Sequence, residues 1–258
     1  MFLLKNGRES FKINLWDEIA FEYDPKSPTG KIWTKPSLWV EMFEEALDGC
    51  HKVLDVGCGA GFLAVPLAEK FEVHGIDLSE EMLNLAAKRA RESNLKLELI
   101  YGDNHTMPFD DNFFDAAYCK FALWPLKNPE KALKEMVRVV KPGGRIVIIE
   151  VDRKKKYEGH RMSFKSKVFY LIYRIITRTL TQRKDTRKIW KDLMDTTRSN
   201  PLVNLKMVKE SLEKEGCEML AFDTEIQEKT YTFIGKLMSS EHEKYFLCVA
   251  EKRYSCSV

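Results

Sequence analysis

Apolar and polar positions follow two rhythms along this chain, and their succession predicts strands and helices in turn. Val53, Leu54 and Val56, flanking Asp55, form a short β-branched apolar run that suits a buried parallel strand. Leu63, Leu67 and Ala68 then mark a helix face, and 71–76 supplies a second strand ending on Asp77. Ser79 is placed to cap the next helix. Glu80 and Glu81 occupy its first turn, where the macrodipole favours acids, and Met82, Leu85, Ala86 and Ala90 form its apolar stripe. A third strand follows at Leu97, Leu99 and Ile100. Asn128 as cap and Pro129 at the first helical position open another helix. Its apolar positions Leu133, Met136, Val137 and Val140 continue until Pro142-Gly143-Gly144 stops it. Near the C-terminus, 205–215 reads as a helix ended by Gly216, and 218–229 and 245–252 read as the last two strands. Such βα repeats predict a parallel, doubly wound sheet.

Between the first strand and its helix lie Gly57, Gly59 and Gly61, which let the backbone turn sharply and approach a ligand where a Cβ would intrude. Asp77 stands 20 residues beyond Gly57, where a carboxylate in a βαβ unit accepts hydrogen bonds from ribose hydroxyls. The dinucleotide fingerprint would require glycine at 62, and Phe62 stands there. Pro66 falls within the helix that follows and kinks it unless that site is still in the first turn.

The spacing Asp55, Gly57, Gly59, Gly61, followed by Asp77, resembles motifs I and II of the class I S-adenosylmethionine (SAM)-dependent methyltransferases. Asp103, after Gly102, matches the family acid that binds the adenine amino group. PFDDNFFDAAYC at 108–119 matches the fourth strand, and RVVKPGGRIVIIE at 138–150 matches a helix end, turn and fifth strand. The match covers residues 50–152 and is closest in flavour to the ubiquinone/menaquinone-biosynthesis type and its small-molecule relatives. The resemblance implies SAM as cofactor and S-adenosylhomocysteine as product. It also implies an α/β, Rossmann-like, doubly wound seven-stranded sheet whose last strand is antiparallel. Cofactor contacts then fall to Tyr23, Asp55, Gly57, Cys58, Gly59, Gly61, Asp77, Leu78, Gly102, Asp103, Asn104 and Lys120. The whole chain, 1–258, reads as a single domain: 1–40 an N-terminal cap, 41–152 the cofactor core, 153–200 a basic helical insertion, and 201–258 the part completing the sheet.

Composition agrees. A chain of 258 residues with 44% apolar and 31% charged residues is of the size and balance that bury one large α/β core. There is no run of 18 uncharged apolar residues, and Phe2-Leu3-Leu4 is interrupted by Lys5, Arg8 and Glu9, so neither a membrane span nor a signal peptide is expected. The expected location is the cytoplasm, with peripheral membrane contact as the alternative. Cys50, Cys58, Cys119, Cys217, Cys248 and Cys256 form no C-x-x-C pair and no Cys/His cluster, so free thiols and no metal are expected. Cys58 is a small loop side chain, a catalytic thiol being the other reading.

Two segments lie outside the core pattern. Trp16 to Asp24 resembles the W-D-x-x-A-x-x-Y-D element that covers the cofactor in many of these enzymes, which implies that Tyr23 reaches the methionine end of SAM. Trp16, Trp33 and Trp39 either wall an aromatic cap near a sulfonium or pack a helix onto the sheet. Residues 153–191 hold 14 Lys/Arg against Glu158 and Asp185, a balance of +12 in a chain whose total is +3. Within it Val168, Leu171, Ile172, Ile175, Ile176 and Leu180 share one helical face. That segment reads as a lid, an acidic-substrate clamp, a membrane-surface helix or a phosphate contact. Nucleic acid ranks last because no RNA-binding module accompanies it.

The cofactor brings an activated methyl group, so the protein must align a nucleophile and exclude water. After the fourth strand, Cys119-Lys120-Phe121-Ala122-Leu123-Trp124 occupies the place where relatives line the transfer pocket, without the N-P-P-Y signature of amino-nitrogen methylation. Lys120 holds an anion, of cofactor or substrate, or is a support; Trp124 walls the pocket or packs. His105 reads as a solvated or structural loop histidine, a base being the other reading, while His51, His74, His160 and His242 have no evident partners. The leading reading is a methyltransferase for an aromatic or acidic small molecule. A methyltransferase for a membrane amphiphile, such as a quinone or lipid, and a non-catalytic SAM-binding module remain beside it.

Overall fold

The computed structural model describes residues 15–23, 35–152, 186–232 and 244–254. Trp33, Cys256, His160, His242 and the apolar face at 168–180 lie outside the described residues.

Seven strands form one sheet: β1 (Lys52–Val56), β2 (Glu72–Asp77), β3 (Glu98–Tyr101), β4 (Phe114–Lys120), β5 (Val140–Asp152), β6 (Cys217–Asp223) and β7 (Lys244–Lys252), in the order β3-β2-β1-β4-β5-β7-β6. The first five run parallel, and β7 is antiparallel to both β5 and β6. This is the Rossmann-like arrangement expected, including the antiparallel last strand. The order reverses between β1 and β4, which opens a crevice beyond their carboxyl ends.

Alternation along β1 feeds two cores. Leu54 and Val56 meet Leu133, Met136 and Phe246 on one face. Val53 meets Trp39, Phe43 and Tyr118 on the other. Helix α1 (Pro36–Ala46) supplies Trp39 and Phe43, both fully buried, so Trp39 is a packing residue. Helix α2 is only Ala64–Leu67. Pro66 lies in its first turn, where its missing N–H has no intrahelical partner to lose, and the longer helix face through Ala68 gives way to one short turn. Helix α3 (Glu80–Glu92) starts as expected, with the Ser79 hydroxyl accepting from the Met82 amide at 3.1 Å. In α4 (Pro129–Val139) the Asn128 side chain accepts from the Lys131 amide at 3.0 Å.

Two boundaries in this half of the chain differ from the sequence reading. Val140 belongs to β5, not to α4, and Pro142-Gly143-Gly144 lies inside that strand beside a register irregularity between Phe114 and Ala116. The helical spacing of Val140 is coincidental: it is buried from a strand instead. Helix α5 (Arg187–Thr197) precedes α6 (Leu205–Lys214), which ends before Gly216 at φ +83° as expected. The strand expected over 218–229 stops at Asp223. There the side chain accepts from the Glu225 amide at 2.7 Å, a local turn that competes with the ladder, and α7 (Ile226–Thr230) follows.

Candidate functional site

The sharp exit from β1 is built by its glycines: Gly57, Gly59 and Gly61 have φ of +71°, +51° and +71°. The amides of Gly57 and Cys58 donate to the Ile76 carbonyl at 2.8 and 3.1 Å, which pins the loop to the end of β2. A Cβ at Gly57 would come within 2.6 Å of the Ala122 Cβ, and one at Gly61 within 2.9 Å of Val65. At Gly59 the nearest atom would be the Met82 sulfur at 3.9 Å. Two glycines thus serve packing, while at the middle one a Cβ would make a single ordinary van der Waals contact among the described residues.

Asp77 closes the cradle. One carboxylate oxygen accepts from the Gly59 amide at 2.8 Å and the other from the Ser79 amide at 2.9 Å, and the Leu78 amide also acts on it. A carboxylate has about four lone-pair sites, so capacity for hydroxyl donors remains. Its pKa is raised, chiefly by desolvation, against the pull of those amides. Asp55 is buried deeper, and desolvation, then the Asp77 charge, pushes it up to about 8; Tyr118, Lys120 and the Ala64 amide act in the opposite direction. The Cys58 thiol is buried and driven well above its ordinary range by desolvation, which suits a small loop side chain, not a nucleophile.

The loop after β3 forms the second wall. Gly102 donates to the Asp77 carbonyl at 3.1 Å. Asp103 accepts from the His105 amide at 2.9 Å and pairs with the His105 Nδ1 at 2.7 Å, a bond that holds its carboxyl below the usual range. The His105 contact is with Asp103, so the structure gives this histidine a partner within its own loop. Asn104 is buried with its Oδ1 unpaired, and His105 Nε2 is likewise buried and unpaired. His51 and His74, which showed no partners in sequence, both face Glu72, at 3.9 and 3.1 Å.

The third wall follows β4. Phe121 adopts φ +57°, a strained conformation for an aromatic residue, with its amide on the Ile149 carbonyl at 2.9 Å. The fully buried Glu150 then organises the turn: its carboxylate accepts from the Leu123 and Trp124 amides, each at 3.1 Å, and from its neighbour Val151 at 2.8 Å. Sequence reasoning passed over Glu150. An acid closing the apolar run 146–149 was the available signal, because a buried charge needs dedicated donors. Lys120 ends β4 with its ammonium 4.3 to 4.7 Å from the ring centroids of Phe121, Trp39 and Phe62.

The N-terminal segment packs against the glycine loop, α3 and the turn after β4. Residues 15–19 are helical and run into a 3-10 turn at Ala20–Tyr23. Asp17 accepts from the Ser79 hydroxyl, and Glu22 accepts from the Thr186 hydroxyl and, at 2.9 Å, the Trp190 indole. Trp16 contacts Trp124, Trp190 and Tyr23 edge-on, with ring centroids 6.1, 6.3 and 6.5 Å apart. Tyr23 is 42% exposed. Trp124 is therefore part of an aromatic roof joining the cap to α5.

Residues 54–148 match the family described as "Methyltransferase domain". Two curated relatives bear the name demethylmenaquinone methyltransferase. That of Bacillus mycoides is 30% identical over 58% of this chain and 66% of its own length; that of Bacillus licheniformis is 38% identical over 48% and 52%. The chain thus spans roughly half to two thirds of these relatives. Over residues 54–148 the chain carries a methyltransferase domain of the class I SAM-dependent type.

A solved geranyl diphosphate C-methyltransferase from Streptomyces coelicolor shares the fold at a TM-score of 0.58, with 17% identity over 84% of this chain and 79% of its own. The loop fits an adenosine cofactor: among the described residues Gly59 has room above its backbone, Asp77 has spare acceptor capacity, and Asn104 carries an unpaired buried oxygen. No helix of the described residues is long and apolar enough to cross a membrane. Among the described residues no three His, Cys, Asp or Glu side chains group as metal ligands.

Proposed function

We propose that this methyltransferase transfers a methyl group from SAM to a small-molecule acceptor held under the aromatic roof. The observation that carries the reading is the Gly59 cradle fastened to Asp77 at the sheet's switch point, with room above its backbone among the described residues. SAM supplies an activated methyl on a sulfonium. Asp77 would hold the ribose hydroxyls, with Leu78 beside it, and Gly57, Cys58, Gly59 and Gly61 would line the loop under the cofactor. Asp103 and Asn104, after Gly102, would take the adenine edge. Asp55 would support the loop from below, and Tyr23 would close on the methionine end. Trp16, Trp124 and Trp190 would exclude water and orient an apolar or aromatic acceptor for in-line attack. His105 serves better as the partner that orients Asp103 than as a base. The single sheet supports one domain with the N-terminal segment as cap.

The test is calorimetric titration with SAM, S-adenosylhomocysteine and NAD, followed by transfer of labelled methyl to an acceptor panel. Micromolar-range binding of the two sulfur nucleotides, none of NAD, and label transfer constitute the expected result; no binding of either sulfur nucleotide sinks the reading.

A second reading, an amphiphilic quinone-like acceptor met at a membrane surface, is favoured by the names of the curated relatives. Sedimentation with anionic liposomes that is lost on deleting 165–180 supports it, and no sedimentation at low salt removes it.

A further inference from the structure

Lys120 is the one cation placed by β4 at the carboxyl end of the sheet, between the glycine loop and the turn fixed by Glu150. Its ammonium has three N–H donors. Among the described residues none of them meets a hydrogen-bond acceptor, and no carboxylate lies within ion-pair distance. Three aromatic faces surround it instead, from Trp39, Phe62 and Phe121. Rings attract a cation but leave its N–H groups without acceptors, and a desolvated charge without a counterion is costly.

The acids that act on it are already engaged. Glu150 spends its lone pairs on the amides of Leu123, Trp124 and Val151, and Asp55 sits below the loop in a site that disfavours its charge. A lysine serving structure alone would be expected to pair with one of them. The residue as a whole keeps partial solvent access, which gives a ligand a route. Burial lowers its pKa to about 8, the Glu150 and Asp55 charges opposing, so the charged form is the one held at a disadvantage until an anion arrives.

We propose that the Lys120 ammonium is an oxyanion-binding group of the pocket, completed when a ligand brings a carboxylate or phenolate against it. The proposal rests on the methyltransferase reading only for the location of the pocket. The oxyanion comes either from the amino-acid end of the cofactor or from the acceptor itself, and the two sources are separable.

The full chain and its Lys120→Met and Lys120→Arg variants are titrated with SAM and with decarboxylated SAM. Each is then saturated with S-adenosylhomocysteine and titrated with benzoate and 4-nitrophenolate. Methionine fills the ring cage with a similar unbranched chain, so a folded variant is expected, checked by its melting curve; arginine keeps the charge and guards against a packing artefact. If the cofactor supplies the oxyanion, Lys120→Met weakens SAM about 10- to 100-fold and leaves decarboxylated SAM unchanged. If the acceptor supplies it, SAM binding is unchanged and the two probe anions weaken by a similar factor. In either case Lys120→Arg retains binding within a few-fold. Equal affinity of wild type and Lys120→Met for SAM and for both probes overturns the proposal. Failure of the wild type to bind SAM or S-adenosylhomocysteine overturns the methyltransferase reading instead, and the probe anions titrated against the free protein then decide Lys120 alone.

Discussion

Alanine in place of each loop glycine separates a ligand-facing backbone from a packed one. All three glycines have positive φ, so each substitution costs about 1–2 kcal/mol from the left-handed conformation alone. At Gly59 there is nothing more to add, because the new Cβ stays 3.9 Å from the nearest atom. At Gly57 and Gly61 the Cβ would lie 2.6 and 2.9 Å from neighbouring side chains, and such overpacking adds about 1–3 kcal/mol. For a chain of this size 1 kcal/mol moves the melting temperature by about 2–4 °C. Gly59→Ala should therefore lower it by about 2–8 °C, and Gly57→Ala and Gly61→Ala by about 4–20 °C. Affinity should rank in the opposite sense to this damage. Gly59→Ala places a methyl group where the cofactor is proposed to lie and should weaken S-adenosylhomocysteine by about tenfold or more, 1.4 kcal/mol or above. Calorimetric titration beside a thermal melt reads both quantities. A folded Gly59→Ala protein that binds with wild-type affinity would refute the assignment of that open face to the cofactor.

Other outcomes follow from single contacts. Asp55→Asn tests linkage: the folded protein holds at about pH 8 a proton that the unfolded chain releases near 3.8, so wild-type stability should fall as pH rises between those values. The variant lacks this dependence and should gain relative to wild type from pH 5 to 8; a constant difference in melting temperature across that range contradicts the raised pKa. Glu150→Ala orphans the amides of Leu123 and Trp124 and should cost about 2–5 kcal/mol in denaturant unfolding; a loss below 1 kcal/mol would mean that water or another group replaces the carboxylate. Trp16→Ala removes three edge contacts worth about 0.5–1.5 kcal/mol each. Hydrogen exchange should quicken over 15–23 with β1 and β4 unchanged, and a cap whose exchange stays at the wild-type rate would show that it does not depend on the roof.

The sheet and the glycine loop that leaves its first strand were legible along the chain, because both are written in short-range patterns. Strand burial, the Ser79 and Asn128 caps and the glycine spacing each depend on residues within a few positions of one another, and all appear in the fold. Local pattern erred where two readings share a period or where a turn intervenes: Val140 keeps helical spacing but pairs with Phe114 in the sheet, and the Asp223 side chain ends a strand that β-prone residues alone would extend. Only the folded neighbours show which glycine has room for a side chain, since Gly57, Gly59 and Gly61 differ in what stands opposite them. It alone brought Glu150 to the turn after β4, 26 and 27 residues away in sequence, and gathered Trp39, Phe62 and Phe121 around Lys120. Apart from Phe121, the neighbour of Lys120 in sequence, those contacts join segments far apart along the chain, and their chemistry depends on desolvation, which exists only once the sheet has closed over them.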